Sequence, residues 1–204
     1  MSTKHVIMAL LDIKPMSGYD LAQSVKISIN SLWSATYSQI YPTLHKLEKA
    51  GMVTSKTEPG SKHRDRIEYS LTDAGRDELT RWIHQPVQYL PFRDPFKLWA
   101  SNLDKIDPFV VFQNIAHHID LHRDRVGYLT QIASSIDDGS HPLIQVREER
   151  LPEEAFDRLK RARSFVFQEL AQQAQAEVDS GWRAWAFAQE MYPDFRPKIV
   201  PKMK

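Results

Sequence analysis

The feature that most constrains this chain is a change of apolar period. Up to residue 50 the apolar residues recur every three or four positions. Between Met52 and Leu71 they alternate, and after Thr72 the helical spacing returns. A short hairpin set between helices produces this pattern. Residues 3–11 carry Val6, Ile7, Leu10 and Leu11 and are predicted as a short helix. Residues 16–20 read as a turn into a second helix that fades near Asn30, with Ser17 as its N-cap. A third helix is predicted over about residues 35–50, with Ile40, Leu44 and Leu47 on its buried face and Gly51 as the terminal glycine. Residues 52–56 and 66–71 alternate as strands around a polar tip at 59–65. Thr72 then caps a fourth helix holding Leu79, Trp82 and Ile83, with Asp73 set against its N-terminal dipole. The order is that of a winged helix-turn-helix.

Proline divides the rest. Pro86, Pro91 and Pro95 mark a linker, residues 137–142 a second break, and Pro193, Pro197 and Pro201 a tail. The expected organisation is a winged helix-turn-helix over 1–90, a helical dimerisation or effector domain over 91–191, and an extended, loosely ordered tail over 192–204. The fold class is mainly α. The second block contains two long apolar series, one from Phe109 to Ile136 and one from Phe156 to Trp185. Each predicts an antiparallel helix of about 30 residues, near 45 Å long at 1.5 Å per residue. Two such helices cannot cover Phe165, Phe167, Trp182 and Trp185 as well as their own stripes, so a second copy of the chain is the expected third layer.

Composition narrows function. Among 204 residues there is no cysteine, which excludes disulfides, thiol catalysis and cysteine-ligated metals. No phosphate-binding glycine loop, nucleophile elbow or zinc-protease signature is present, so no enzyme is expected and no cofactor is implied. No stretch is apolar enough for a membrane span, and the six apolar residues after His5 are short for a signal peptide, so a cytoplasmic location is expected.

The net charge is only +1, so a nucleic-acid surface has to be local. From residue 38 to 66 six cations (Lys46, Lys49, Lys56, Lys62, Arg64, Arg66) face three anions (Glu48, Glu58, Asp65). Opposite the apolar face of the third helix stand Ser38, Gln39, Pro42, Thr43 and Lys46, flanked by Tyr37 and Tyr41. Gln39 can pair with adenine in the major groove, and hydroxyls and Lys46 suit phosphates. Pro42 is expected in the first helical turn, where it costs little. Lys62, His63, Arg64 and Arg66 form a basic tip able to reach phosphates or a minor groove.

At this point the residues resemble a family. His5 to Leu11 with Ser17-Gly18-Tyr19-Asp20-Leu21, then Ile40 to Val53, then Arg66 to Gly75, are similar to the PadR-type transcriptional regulators over residues 4 to about 84. The second block, with Arg93-Asp94-Pro95-Phe96 at its start, more loosely resembles the virulence-activator branch with its larger C-terminal region. The resemblance implies a homodimer on a pseudo-palindromic operator in double-stranded DNA. It maps DNA contacts onto Tyr37, Ser38, Gln39, Tyr41, Thr43, Lys46 and Lys62 to Arg66; Ser17 and Tyr19, in the turn before the second helix, are further candidates. It also implies that a phenolic or other flat hydrophobic effector is a candidate ligand.

Other clusters have simpler readings. His117, His118 and His122 have metal-ligand spacing on a helix, but a polar helix surface is the expected home. Trp99, Trp182 and Trp185 are candidates for an effector or dimer pocket, although core and interface packing is the simpler expectation. Residues 147–150 read as a solvated loop. The alternative function is a winged-helix protein-interaction or assembly module without sequence-specific DNA binding.

Overall fold

The computed structural model describes residues 3–25, 37–58, 66–87 and 93–201. They fall into two units, 1–89 with 145–151, and 90–144 with 152–204.

The first unit runs α1 (Thr3–Leu11), β1 (Met16–Ser17), α2 (Gly18–Ser24), α3 (Tyr37–Lys49), β2 (Val53–Glu58), β3 (Arg66–Leu71) and α4 (Asp73–Ile83). β2 and β3 form the expected antiparallel hairpin, with Val53 opposite Leu71 and Glu58 opposite Arg66. Sequence alternation did not reveal β1. It pairs antiparallel with β3, Met16 opposite Tyr69, and makes the sheet three-stranded in the order β1-β3-β2. The core is built from the periodic residues: Ile7, Leu10, Leu21, Ile40 and Leu44 are all essentially inaccessible. Each such side chain contributes roughly 1.5–3 kcal/mol of transfer free energy.

Helix ends follow from named residues. Ser17 caps α2 in a reciprocal box with Asp20, as its position before an apolar run suggests. At the end of α3, Gly51 adopts a φ of 70°. There the Gly51 amide donates to Glu48 O and the Met52 amide to Leu47 O, so the chain turns directly into β2. Thr72 fastens the other side of the hairpin. Its hydroxyl donates to Gly51 O at 2.7 Å and accepts from the Gly75 amide at 3.1 Å. A Cβ on Gly75 would meet Met52 O at 2.2 Å, so glycine lets α4 start against β2.

Residues 145–151 group with the first unit instead of forming a solvated loop. Arg147 Nη2 lies 3.0 Å from Asp12 Oδ2, and Arg150 Nη1 donates to Ile13 O at 2.8 Å.

The second unit holds α5 (Pro95–Ala100), a 3-10 turn at Leu103–Lys105, α6 (Pro108–Asp137), the start of α7 (Pro142–Glu148), whose residues from 145 group with the first unit, and α8 (Glu153–Met191). Helices α6 and α8 are antiparallel: Phe112 meets Trp185 near one end, and further along α6 Ile119 meets Gly181 and His118 meets Glu177. Phe112, Ile115 and Ile119 are fully buried in this seam, with Val178 and Ala188 opposite. The tail is not loose. Phe195 stacks on Phe112 with ring centroids 5.4 Å apart, Tyr192 Oη donates to Leu103 O at 2.7 Å, and Pro201 is buried. Its prolines forbid a helix, but Tyr192 and Phe195 supply apolar area that anchors it.

Candidate nucleic-acid interface

Helix α3 presents what its spacing promises. Ile40, Leu44 and Leu47 point inward, while Ser38, Gln39, Tyr41, Pro42, Lys46 and Lys49 are exposed. At 100° per residue, Ser38, Pro42 and Lys49 stand opposite the buried stripe, with Gln39 and Lys46 along one edge and Tyr41 along the other. Lys46 and Lys49 make no ion pair among the described residues. The helix C-terminus favours them there.

Several expected residues sit differently. Pro42 is inside α3, not in its first turn, because the helix already runs from Tyr37. It removes one donor from the ladder at an exposed position, where water can serve the freed carbonyl level. Thr43 lies towards the flank, and its hydroxyl donates back to Gln39 O at 2.6 Å. Ser17 is buried, with its hydroxyl engaged by Asp20, so its role is to start α2. Tyr19 is exposed, and its phenolic oxygen accepts from Gln23 Nε2 at 3.1 Å. Arg66, at the tip end of β3, pairs with Asp20, which ties β3 to the first turn of α2. Lys62, His63 and Arg64, and the side chain of Tyr37, lie outside the described residues.

The tryptophans considered for a pocket pack as the simpler expectation had it. Trp185 is buried and meets Phe112 edge-on at 4.8 Å, and Trp99 and Trp182 pack partly buried against the same cluster. A cavity of about 640 Å³ does exist in the second unit, lined by α5, α6 and α8 residues that include His118 and His122 and none of the three tryptophans. His117 is exposed, as expected, but His118 and His122 are not on the polar surface. His118 is buried against Phe96, ring centroids 3.7 Å apart, with Nε2 3.2 Å from Glu177 O. Burial holds both imidazoles below their ordinary pKa, and for His122 the neighbouring His118 adds to this.

With this geometry in view, the chain matches the family described as "Transcriptional regulator PadR-like family" over residues 7–81. Residues 7–81 are a PadR-like domain. The chain is 40% identical over 99 residues to the "Negative transcriptional regulator PadR" of Bacillus subtilis (strain 168), covering 48% of this chain and 54% of that protein. It spans about half the length of the curated relatives it matches. Its fold is similar to that of B. subtilis PadR solved with operator DNA, with a TM-score of 0.70 and 24% identity over 90% of this chain and 96% of that one. B. subtilis PadR solved with p-coumaric acid matches with a TM-score of 0.55 and 26% identity over 91% and 98% of the two chains. The two solved chains thus extend the likeness of fold beyond the PadR-like domain into the helical second unit.

Two residues of the PadR-like domain escaped sequence reading. His45 is exposed on α3 beside Lys46 and Tyr41, and counting by 100° from Ile40 would have placed it there. Gly18 matters because the Tyr41 ring occupies the space of its missing side chain. No local signal announces that contact.

Proposed function

We propose that this chain is a transcriptional regulator that binds double-stranded DNA as a homodimer on a pseudo-palindromic operator, acts in the cytoplasm, and answers to a small aromatic effector. The observation that carries this reading is the outer face of α3, where Ser38, Gln39, Lys46 and Lys49 are exposed together and the two lysines make no ion pair among the described residues. In this reading Gln39 and Ser38 meet base edges, Lys46 and Lys49 meet phosphates, and the tip at Lys62, His63 and Arg64 lies along the backbone or minor groove. The relatives are named as transcriptional regulators, and PadR of B. subtilis has been solved both with operator DNA and with p-coumaric acid. Dimerisation is supported by the large apolar side chains that α8 leaves exposed, Phe165 and Phe187. We assign DNA contact to residues 1–90 and self-association to residues 91–191, with 192–204 as a tail.

The test is selection of bound duplexes from a random pool by the full chain at physiological salt with nonspecific competitor. A two-fold-related motif with half-sites about 34 Å apart, or a multiple of that, is the expected result. Enrichment of no motif, with a monomer in light scattering, would overturn the proposal.

A further inference from the structure

The chain leaves the second unit after Ile144, lies on the first unit as residues 145–151, and returns to the second at Pro152. Ile144 before this excursion and Phe156 after it, both of the second unit, are buried. The excursion is therefore fixed on either side.

Its own residues explain its grip on the first unit. The Arg150 and Leu151 amides both donate to Arg147 O, so the end of α7 carries Arg147 and Arg150 three positions apart on one side. Arg147 Nη2 reaches Asp12 Oδ2 at 3.0 Å, and Arg150 Nη1 donates to Ile13 O at 2.8 Å. Asp12 is a junction, because its other oxygen takes Arg76 Nη1 of α4 at 2.6 Å. Asp12 and Ile13 close α1: their amides donate to Met8 O and Leu10 O, and Ile13 is buried. Shortly after them Ser17 caps α2. Arg147 and Arg150 thus grip the turn between α1 and α2, and both of these helices pack on α3.

Pairs of this kind add little to stability where water reaches them. Their effect is on position. Domains joined by one linker move against each other by default, and here a second segment crosses. We propose that residues 145–151 are a clasp that restrains the winged helix-turn-helix on the helical unit, with Arg147 and Arg150 as positioning residues that set which half-site spacing the dimer accepts. The proposal rests on the homodimeric DNA-binding reading above and assigns neither arginine to DNA. Two extra base pairs between half-sites turn one of them by about 70° around the duplex and move it by about 7 Å. A dimer whose reading helices are restrained discriminates steeply against that change, and one whose helices swing does not.

The experiment compares the full chain with the double variant Arg147→Gln, Arg150→Gln and with Arg76→Gln. Arg76 pairs with the same carboxylate but lies within residues 1–89, so its replacement removes an Asp12 contact and leaves the clasp. The first readout, hydrogen exchange by mass spectrometry, needs no DNA. In the double variant, exchange should rise by about 10-fold in residues 145–151 and 8–13, and stay slow in the α6–α8 seam around Ile115 and Val178. The second readout is affinity for the selected operator, for the same operator with two base pairs inserted, and for a single half-site. The insertion should cost the wild type and Arg76→Gln at least about 10-fold and the double variant about threefold or less, with half-site affinity equal in all three. Unchanged exchange in the double variant would overturn the clasp. An insertion penalty as steep as in the wild type, or one relaxed equally by Arg76→Gln, would do the same. Loss of half-site affinity in the double variant would show a merely structural role and overturn the positioning assignment. If the wild type binds no operator, the regulator reading fails, and the exchange data still decide whether the clasp exists.

Discussion

The ring of Tyr41 stands where Gly18 would carry a side chain: a Cβ there would lie 2.5 Å from Tyr41 Cε1 and 2.9 Å from Cζ. The glycine thus sets how closely α2 approaches α3, and it fixes the ring at one edge of the exposed face. Gly18→Ala should push the ring outward. The tyrosine is partly exposed and can move, so the stability loss should be modest, about 1 kcal/mol in urea unfolding. Operator affinity should fall by more than stability alone explains. Gly127→Ala is the control, because nothing lies within 4 Å of a Cβ at that position. It should stabilise α6 by roughly 0.5–1 kcal/mol and leave DNA binding alone.

Lys46 and Gln39 should separate affinity from specificity. Lys46 is exposed and makes no ion pair among the described residues, so Lys46→Ala should weaken binding to all duplexes alike and reduce the slope of log K against log salt by about one. Gln39→Ala should instead leave the salt slope intact and relax preference at one base position, by roughly 1–3 kcal/mol of discrimination. Fluorescence anisotropy across a salt series with cognate and scrambled duplexes reads both. A change of salt slope for Gln39→Ala and none for Lys46→Ala would reverse the assignment.

Much of this was legible in sequence because it depends on spacing. The 4-3 rhythm of Ile40, Leu44 and Leu47 fixes which side of α3 is buried, and so which side is open. The alternation in β2 and β3 gives the hairpin. What escaped depends on distant partners. β1 is two residues long, too short to show a period, and it exists only because Tyr69 and Glu68 of β3 pair with it. His118 and His122 look like surface residues within their own helix. They are covered by Phe96 and by α8, which lie far from them along the chain. Phe195 was hidden among prolines, yet it finds Phe112. Pro42 is a different case: a helix beginning near residue 35, as its spacing predicts, already carries position 42 past the first turn, and the observed start at Tyr37 leaves it in the interior.

The α6–α8 seam should be intolerant at Gly181. A Cβ there would stand 2.5 Å from Ile119 Cγ1 and 3.1 Å from His118 Cδ2, and Ile119 is fully buried with no room to retreat. Gly181→Ala should cost about 1–3 kcal/mol despite the better helix propensity of alanine. Ile119→Ala alone should cost about 2–5 kcal/mol through its cavity. Combined, the two should cost less than their sum, because the new methyl enters the space vacated by isoleucine. Additive losses in denaturant unfolding would mean that the two sites do not share that space.

Acid should weaken the fold in two stages, the first through histidine. His5 stacks on Trp82 with ring centroids 4.4 Å apart, His118 stacks on Phe96, and His122 and His141 are packed into the second unit. Burial is the main cause that lowers all four from the ordinary 6.5. Lys4, His118 and Arg163 push His5, His122 and His141 the same way, while Glu78 and Glu177 oppose without prevailing. The unfolded chain therefore takes up protons before the folded one. This stability is fully present above about pH 6.5 and is lost as pH falls through the lowered folded values. Glu78 and Asp94 are held below 4.5 and 3.8, each chiefly by a hydrogen bond from a lysine, Lys4 and Lys97 respectively. Their contributions are lost only at more acid pH, which makes the second stage. The urea midpoint should thus fall between about pH 7.5 and pH 5.5, and His118→Gln with His122→Gln should flatten part of that fall. A wild-type midpoint that is constant or rises over this range would show that the four imidazoles are not held neutral by the fold.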